Sequence, residues 1–183
     1  MLIKAGIAAV ITLAIIATSL QISLPPRPRV LYNPSPSAPM GWYRLAPQTT
    51  LNTGDQVAAF APDWARKLAD ARGYLPFKYP LIKSVMAVSG EKVCYHTHSV
   101  SVPNGVVIPL LVRDRSGRDM PKRFSGCLTL EDGDIWIASP DVQTGFDSRY
   151  FGQVSQENVL GKVVYLGNIK DPKTRKIQGF RGE

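Results

Sequence analysis

The stretch Leu81-Ile82-Lys83-Ser84-Val85-Met86-Ala87-Val88 is an apolar run with a lysine inside it rather than at its end. Its length and β-branched content suit a strand buried in a sheet. An ammonium on such a strand meets low-dielectric surroundings, which disfavour its charged form. An unperturbed lysine, with a pKa of about 10.4, is neutral in only about one molecule in 2,500 at pH 7. Lowering that pKa by about three units costs roughly 4 kcal/mol relative to a solvated ammonium. A lysine kept inside at that cost is a functional candidate, set against the plainer reading of a solvent-pointing lysine on an edge strand.

Outward from this run, similar segments recur between turn signals at Gln56–Phe60, Lys92–His96, Val106–Val112, Asp134–Ser139 and Lys162–Leu166, and they predict six or more strands. One helix is expected between the first two of these segments. Pro62 suits its first turn, Asp63 follows favourably, Trp64, Leu68 and Ala71 share a face, and Gly73 ends it. Fifteen Gly and fifteen Pro add turns. The expectation is a single mainly β domain with one inserted helix and no internal repeat.

Ala5 to Leu24 carries no charge and can span a bilayer once, since about twenty helical residues at ~1.5 Å each cover a ~30 Å core. The competing reading is a cleavable signal peptide, with Lys4 as its basic start and Ala17-Thr18-Ser19 near the cut; either way the rest is exported. The chain then divides into an anchor or signal segment over 1–24, a Pro-rich spacer over 25–32, a globular domain over 33–168 and a basic tail over 169–183. The formal charge of +8 suits an acidic partner, but part of it lies in Lys170, Lys173, Arg175, Lys176 and Arg181, and no aromatic-rich nucleic-acid motif accompanies it. Cys94 and Cys127 are too few for a disulfide framework and lack zinc-site spacing; export favours a single bridge between them over two buried thiols.

Two further segments carry candidate chemistry. Asn33-Pro34-Ser35-Pro36-Ser37-Ala38-Pro39-Met40-Gly41-Trp42-Tyr43 sets two hydroxyls among stiffening prolines, with Gly41 available for an unusual turn. Gly145-Phe146-Asp147-Ser148-Arg149-Tyr150-Phe151-Gly152 places Asp147 and Arg149 where they can pair across a tight loop, as a surface ion pair in the plainest reading. His96 and His98 have no nearby carboxylate to make a base, and two imidazoles alone do not make a metal site. Lys83 is therefore the better base for a nucleophilic serine.

Together these segments resemble the signal peptidase family of Ser/Lys peptidases, and most closely its TraF-type conjugative transfer branch. The branch's nucleophile motif is similar to Asn-x-Thr-x-Ser-x-Pro-x-Gly-x-Tyr, matched here by Asn33, Ser35, Ser37, Pro39, Gly41 and Tyr43, with Ser35 in place of threonine. The base box Leu-Ile-Lys-Arg-Val followed by Gly-Asp is matched by Leu81 to Val85 and by Gly90-Glu91, with Ser84 and Glu91 departing. The final box is matched by Asp147 to Gly152. Leader peptidases carry a lysine-orienting serine two positions before this aspartate; here that position is Gly145, which leaves the orienting partner of Lys83 open.

The resemblance implies a β-rich catalytic domain behind one N-terminal transmembrane helix, in the bacterial inner membrane and facing the periplasm, with neither cofactor nor metal. It implies Ser37 as nucleophile, Lys83 as general base, Asp147 and Arg149 as support, and Ser35 with Ser37 as the oxyanion hole. The implied partners are a pilin precursor as substrate, the cytoplasmic membrane and other conjugation proteins, with hydrolysis or cyclisation as outcomes. The alternatives are a general leader peptidase and, in another class, a non-catalytic periplasmic adaptor of a secretion complex, for which Ser37 and Lys83 would be dispensable.

Overall fold

The computed structural model describes residues 2–23, 29–46, 50–142 and 144–168. Helix α1 is Leu2–Ser23. The strands are β1 Val30–Asn33, β2 Gly41–Leu45, β3 Gln56–Ala59, β4 Leu81–Val88, β5 Lys92–Tyr95, β6 Ser99–Ser101, β7 Val107–Pro109, β8 Gly126–Thr129, β9 Asp134–Ala138, β10 Val154–Ser155 and β11 Val159–Gly167. Helix α2 is Asp63–Ala71, between β3 and β4, and α3 is the single turn Ser148–Phe151. A seven-stranded antiparallel sheet runs β1-β2-β11-β3-β4-β9-β10, and a four-stranded sheet runs β7-β6-β5-β8.

Strands β4 and β9 are central because both of their faces are covered. Val85, Ile135 and Ile137 join one core with Val57, Ala65 and Phe151, while Met86, Ala87, Trp136 and Ala138 join the core shared with Val93, Val100 and Ile108 of the small sheet. A strand buried on two faces reads as a near-continuous apolar run, which is why Leu81–Val88 was legible. The core shared with the small sheet is tied to α3 by hydrogen bonds: the Trp136 indole donates to the Tyr95 hydroxyl at 2.9 Å, and that hydroxyl donates to the Ser148 carbonyl at 2.9 Å. Helix α2 buries Ala65 and Ala69 and gives way at Gly73, whose φ is +69°.

Several expectations change. Residues 30–32, read as spacer, belong to edge strand β1, which pairs with β2 from Val30↔Arg44 to Asn33↔Gly41. The segment read as a loop around Asp147 contains a helical turn, because the Asp147 carboxylate accepts the Arg149 amide as an N-cap, so α2 is not the single helix. The strand expected over Lys92–His96 ends at Tyr95, and His96 lies in the β5–β6 turn beside the Ser101 hydroxyl at 2.9 Å. Counted over the described residues, no helix is long and apolar enough to cross a membrane, so the spanning helix expected over 1–24 is not shown. Residues 24–28 of the anchor and spacer and the tail 169–183 lie outside the described residues.

Cys94 and Cys127 face each other in register on β5 and β8 and are joined, S–S 2.03 Å, closing a separation of 33 residues. Removing a link across a loop of that length frees roughly 3–4 kcal/mol of denatured-state entropy. The double variant Cys94→Ala/Cys127→Ala should lose about that much in urea unfolding, and unchanged stability would show that the bridge does not constrain the unfolded chain.

Candidate active site

The loop between β1 and β2 is fixed from below, carbonyl by carbonyl. Asn33, 6% exposed, donates its amide to the carbonyls of Ser35 (2.9 Å), Ala38 (3.0 Å) and Pro39 (3.2 Å), and its Oδ1 accepts the Ser35 amide at 3.1 Å. Tyr43 and Tyr165 hydroxyls donate to Pro39 and Met40 carbonyls at 2.8 and 3.0 Å. Gly41 is required at the loop's end: its φ is +143°, and a Cβ there would lie 2.5 Å from the Gly167 carbonyl oxygen of β11. Three prolines and five engaged carbonyls restrain this loop, with Ser35 and Ser37 half-buried at its turn. The Ser35 hydroxyl donates to Ser37 Oγ at 3.1 Å and accepts the Ser37 amide at 3.3 Å.

Lys83 lies on β4 opposite Val57 of β3, and its side chain is 1% exposed. Its Nζ donates to Ser139 Oγ at 2.9 Å, and the Ser139 hydroxyl in turn donates to the Ser37 carbonyl at 2.6 Å. Ser139 follows directly on β9, where Ala138 pairs with Ser84, so the register of β4 and β9 brings its hydroxyl to the lysine. One hydroxyl thus connects the amine to the backbone of the serine loop. Gly145 could not do this: a Cβ there would sit 2.6 Å from Arg149 Nη2 and 2.9 Å from Asp147 Oδ2.

Asp147 and Arg149 form a fully buried, two-pronged ion pair, Nε to Oδ1 at 2.7 Å and Nη2 to Oδ2 at 2.8 Å, both side chains 0% exposed. The guanidinium also donates to the carbonyls of Pro109 (3.2 Å), Val142 (2.9 Å) and Gly145 (3.1 Å), and Asp147 Oδ2 accepts the Ser139 amide at 3.2 Å. The surface ion pair of the plainest reading is therefore corrected to a buried one. Lys83 Nζ stays 3.9 Å from Asp147 Oδ2. Burial lowers the Lys83 pKa to about 8; the charge of Asp147 pulls the other way, and the charge of Arg149 pushes the same way as burial. Burial would lower the Arg149 pKa too, but the Asp147 hydrogen bonds overturn this and raise it.

Ser37 and Lys83 both line two adjoining cavities of about 320 and 370 Å³. One is walled by Ala69, Leu75, Leu81, Ile82 and Phe146, the other by Ala38, Met40, Gln56, Ser139 and Asp141. A hydroxyl, a buried amine able to lose its proton near neutrality and donors beside the hydroxyl are the parts needed for nucleophilic attack on a carbonyl. Among the described residues no group of three or more His, Cys, Asp or Glu could hold a metal ion. Reading the sequence missed Ser139 and gave Asn33 no role. A hydroxyl closing the apolar strand Asp134–Ala138 was the available sign of the first.

Residues 2–166 match the family described as Signal peptidase, peptidase S26, and the chain belongs to that family. The chain is 31% identical over 141 residues to the Plasmid transfer protein TraF of Escherichia coli, covering 70% of this chain and 77% of that protein. It is 37% identical over 140 residues to the Probable conjugal transfer protein TraF of Sinorhizobium fredii (strain NBRC 101917 / NGR234), covering 70% and 72%. A signal peptidase I of Enterococcus faecalis V583 superposes with a TM-score of 0.39 at 18% identity, covering 64% of this chain and 99% of that one, a likeness too slight to carry weight.

Below pH 8 the folded and unfolded chains both hold the Lys83 proton, and burying the ammonium costs about 3 kcal/mol. Between about 8 and 10.5 the unfolded chain binds a proton that the folded chain lacks, so this group's contribution to stability rises with pH across that window. Lys83→Met should therefore be about 1–3 kcal/mol more stable than the natural chain at pH 7, with the difference shrinking towards pH 10. Urea unfolding at the two pH values checks this.

Proposed function

We propose that the chain is a membrane-tethered serine endopeptidase that processes the pilin precursor of a conjugative transfer system, with Ser37 as nucleophile and Lys83 as general base. The observation that carries the reading is a buried lysine, titrating near 8, that lines the same two cavities as Ser37. About one Lys83 in ten is neutral at pH 7, against fewer than one in a thousand for a solvated lysine. Membership of the signal peptidase family and similarity to proteins named for plasmid and conjugal transfer support the reaction and its setting.

Neutral Nζ takes the Ser37 proton as Oγ attacks the scissile carbonyl. The tetrahedral oxyanion draws the Ser37 amide and the Ser35 hydroxyl away from each other and onto itself. Collapse transfers the lysine's proton to the leaving amine and leaves an acyl-enzyme. Water then gives a linear product, and the pilin's own amino terminus would give a circular one. Ser139 holds the amine towards this work, and the Asp147–Arg149 pair holds Ser139.

The tether is read from the uncharged run Ala5 to Leu24. A membrane-facing domain is supported by the outer face of β1, β2 and β11, which exposes Val30, Tyr32, Trp42, Val164 and Leu166 beside Arg44. The domain then works at the periplasmic side of the inner membrane.

Pilin processing in membranes, followed by intact mass, tests the reading. The natural chain should produce one defined mass shift, Ser37→Ala and Lys83→Met none, and Ser35→Ala should slow it about 10²–10³-fold. Processing by folded Ser37→Ala would overturn the proposal. A product lighter by one water than the linear form would identify cyclisation.

A further inference from the structure

The cavity that starts at Ser37 ends at a charged mouth. Arg72, Asp114, Arg115 and Arg118 line it, three guanidiniums against one carboxylate. Asp114 is already saturated. Its Oδ1 accepts the amides of Ser116 and Arg118 at 2.9 Å each, and its Oδ2 accepts Arg118 Nε at 2.7 Å and the Tyr74 hydroxyl, with Arg72 Nη1 at 4.0 Å.

Arg118 is fixed further by its bond to the Arg72 carbonyl at 3.2 Å and by lying over the Tyr74 ring at 5.4 Å. Arg72 donates to the Asp119 carbonyl at 3.0 Å. Arg115 is different. It sits in the turn closed by the Gly117 amide on the Asp114 carbonyl at 3.0 Å, and its Nη2 donates to the neutral Thr144 hydroxyl at 3.2 Å. No carboxylate among the described residues pairs with it.

A guanidinium held by one neutral hydroxyl, beside two others whose counter-charge is shared, favours an anion, and its planar fork matches a carboxylate. The same cavity reaches Ser37, so a polypeptide laid across Ser37 would carry its side chains to this mouth. We propose that the mouth is a specificity subsite for an Asp or Glu side chain of the substrate, near the scissile bond, with Arg115 as its contact. The subsite rests on the peptidase reading for its substrate, but its binding can be measured without catalysis.

The probe is a set of Gly/Ala/Val-based dodecapeptides in which a single Glu, or Gln or Lys as control, is walked through the central positions. Binding to the full chain carrying Ser37→Ala is read by fluorescence anisotropy, and cleavage by the chain with Ser37 intact is read separately. At one position Glu should bind at least fivefold tighter than Gln. The preference should vanish in Arg115→Gln, reverse towards Lys in Arg115→Glu, and persist in Arg113→Gln, which removes an exposed arginine paired with Asp119 at 3.1 Å. Equal affinity at every position, or a preference that survives Arg115→Gln, overturns the subsite. A preference without any Ser37-dependent cleavage would support the subsite and sink the peptidase reading instead.

Discussion

The arrangement depends on how one negative charge is divided. Asp147 is the carboxylate nearest Lys83, and a carboxylate committed to that amine would keep it protonated. Arg149 prevents this by taking both oxygens at 2.7 and 2.8 Å, while Lys83 stays at 3.9 Å with a neutral hydroxyl as its closest partner. A buried pair of this kind gives little net stability, and breaking it leaves an uncompensated charge at a cost of about 3–5 kcal/mol. Its value lies in holding the local potential where a neutral amine is accessible.

The same pair also carries geometry. Asp147 caps α3 and accepts the Ser139 amide, so the carboxylate that must be neutralised is also what positions the hydroxyl touching Lys83. Ser139 then donates to the Ser37 carbonyl, and Asn33, Tyr43 and Tyr165 hold the neighbouring carbonyls of the loop. The Ser37 loop, Lys83, Ser139 and the Asp147–Arg149 pair therefore form one hydrogen-bonded unit reaching from β2 to α3. The backbone that carries the Ser37 amide is thereby held in advance, the condition under which a donor stabilises a developing charge most effectively.

Much of this was legible in the residues themselves. Central strands announced themselves because burial on two faces demands apolar side chains at both parities, and Lys83 stood out against that background. Strands β6, β8 and β10 carry Ser, Gly and Thr in place of an apolar run, and β1 was hidden by its place after prolines. Asp147 and Arg149 could be paired from spacing, but their burial depends on carbonyls from Pro109 and Val142, which no local pattern encodes. Ser139 is 56 residues from Lys83 and 102 from Ser37, so its role appears only once β4 and β9 are in register. Gly145 raised the right question; the answer came from the other end of the loop, because Arg149 fills the space a side chain there would need.

The most direct test of the central claim is the pH dependence of Ser37 acylation by an activated ester, followed by intact mass from pH 6 to 10. The account predicts a single rising limb with its midpoint near 8, set by Lys83, and no labelling in Ser37→Ala. A rate that is flat across this range, or one still rising through pH 10 as for a solvated lysine, would contradict it.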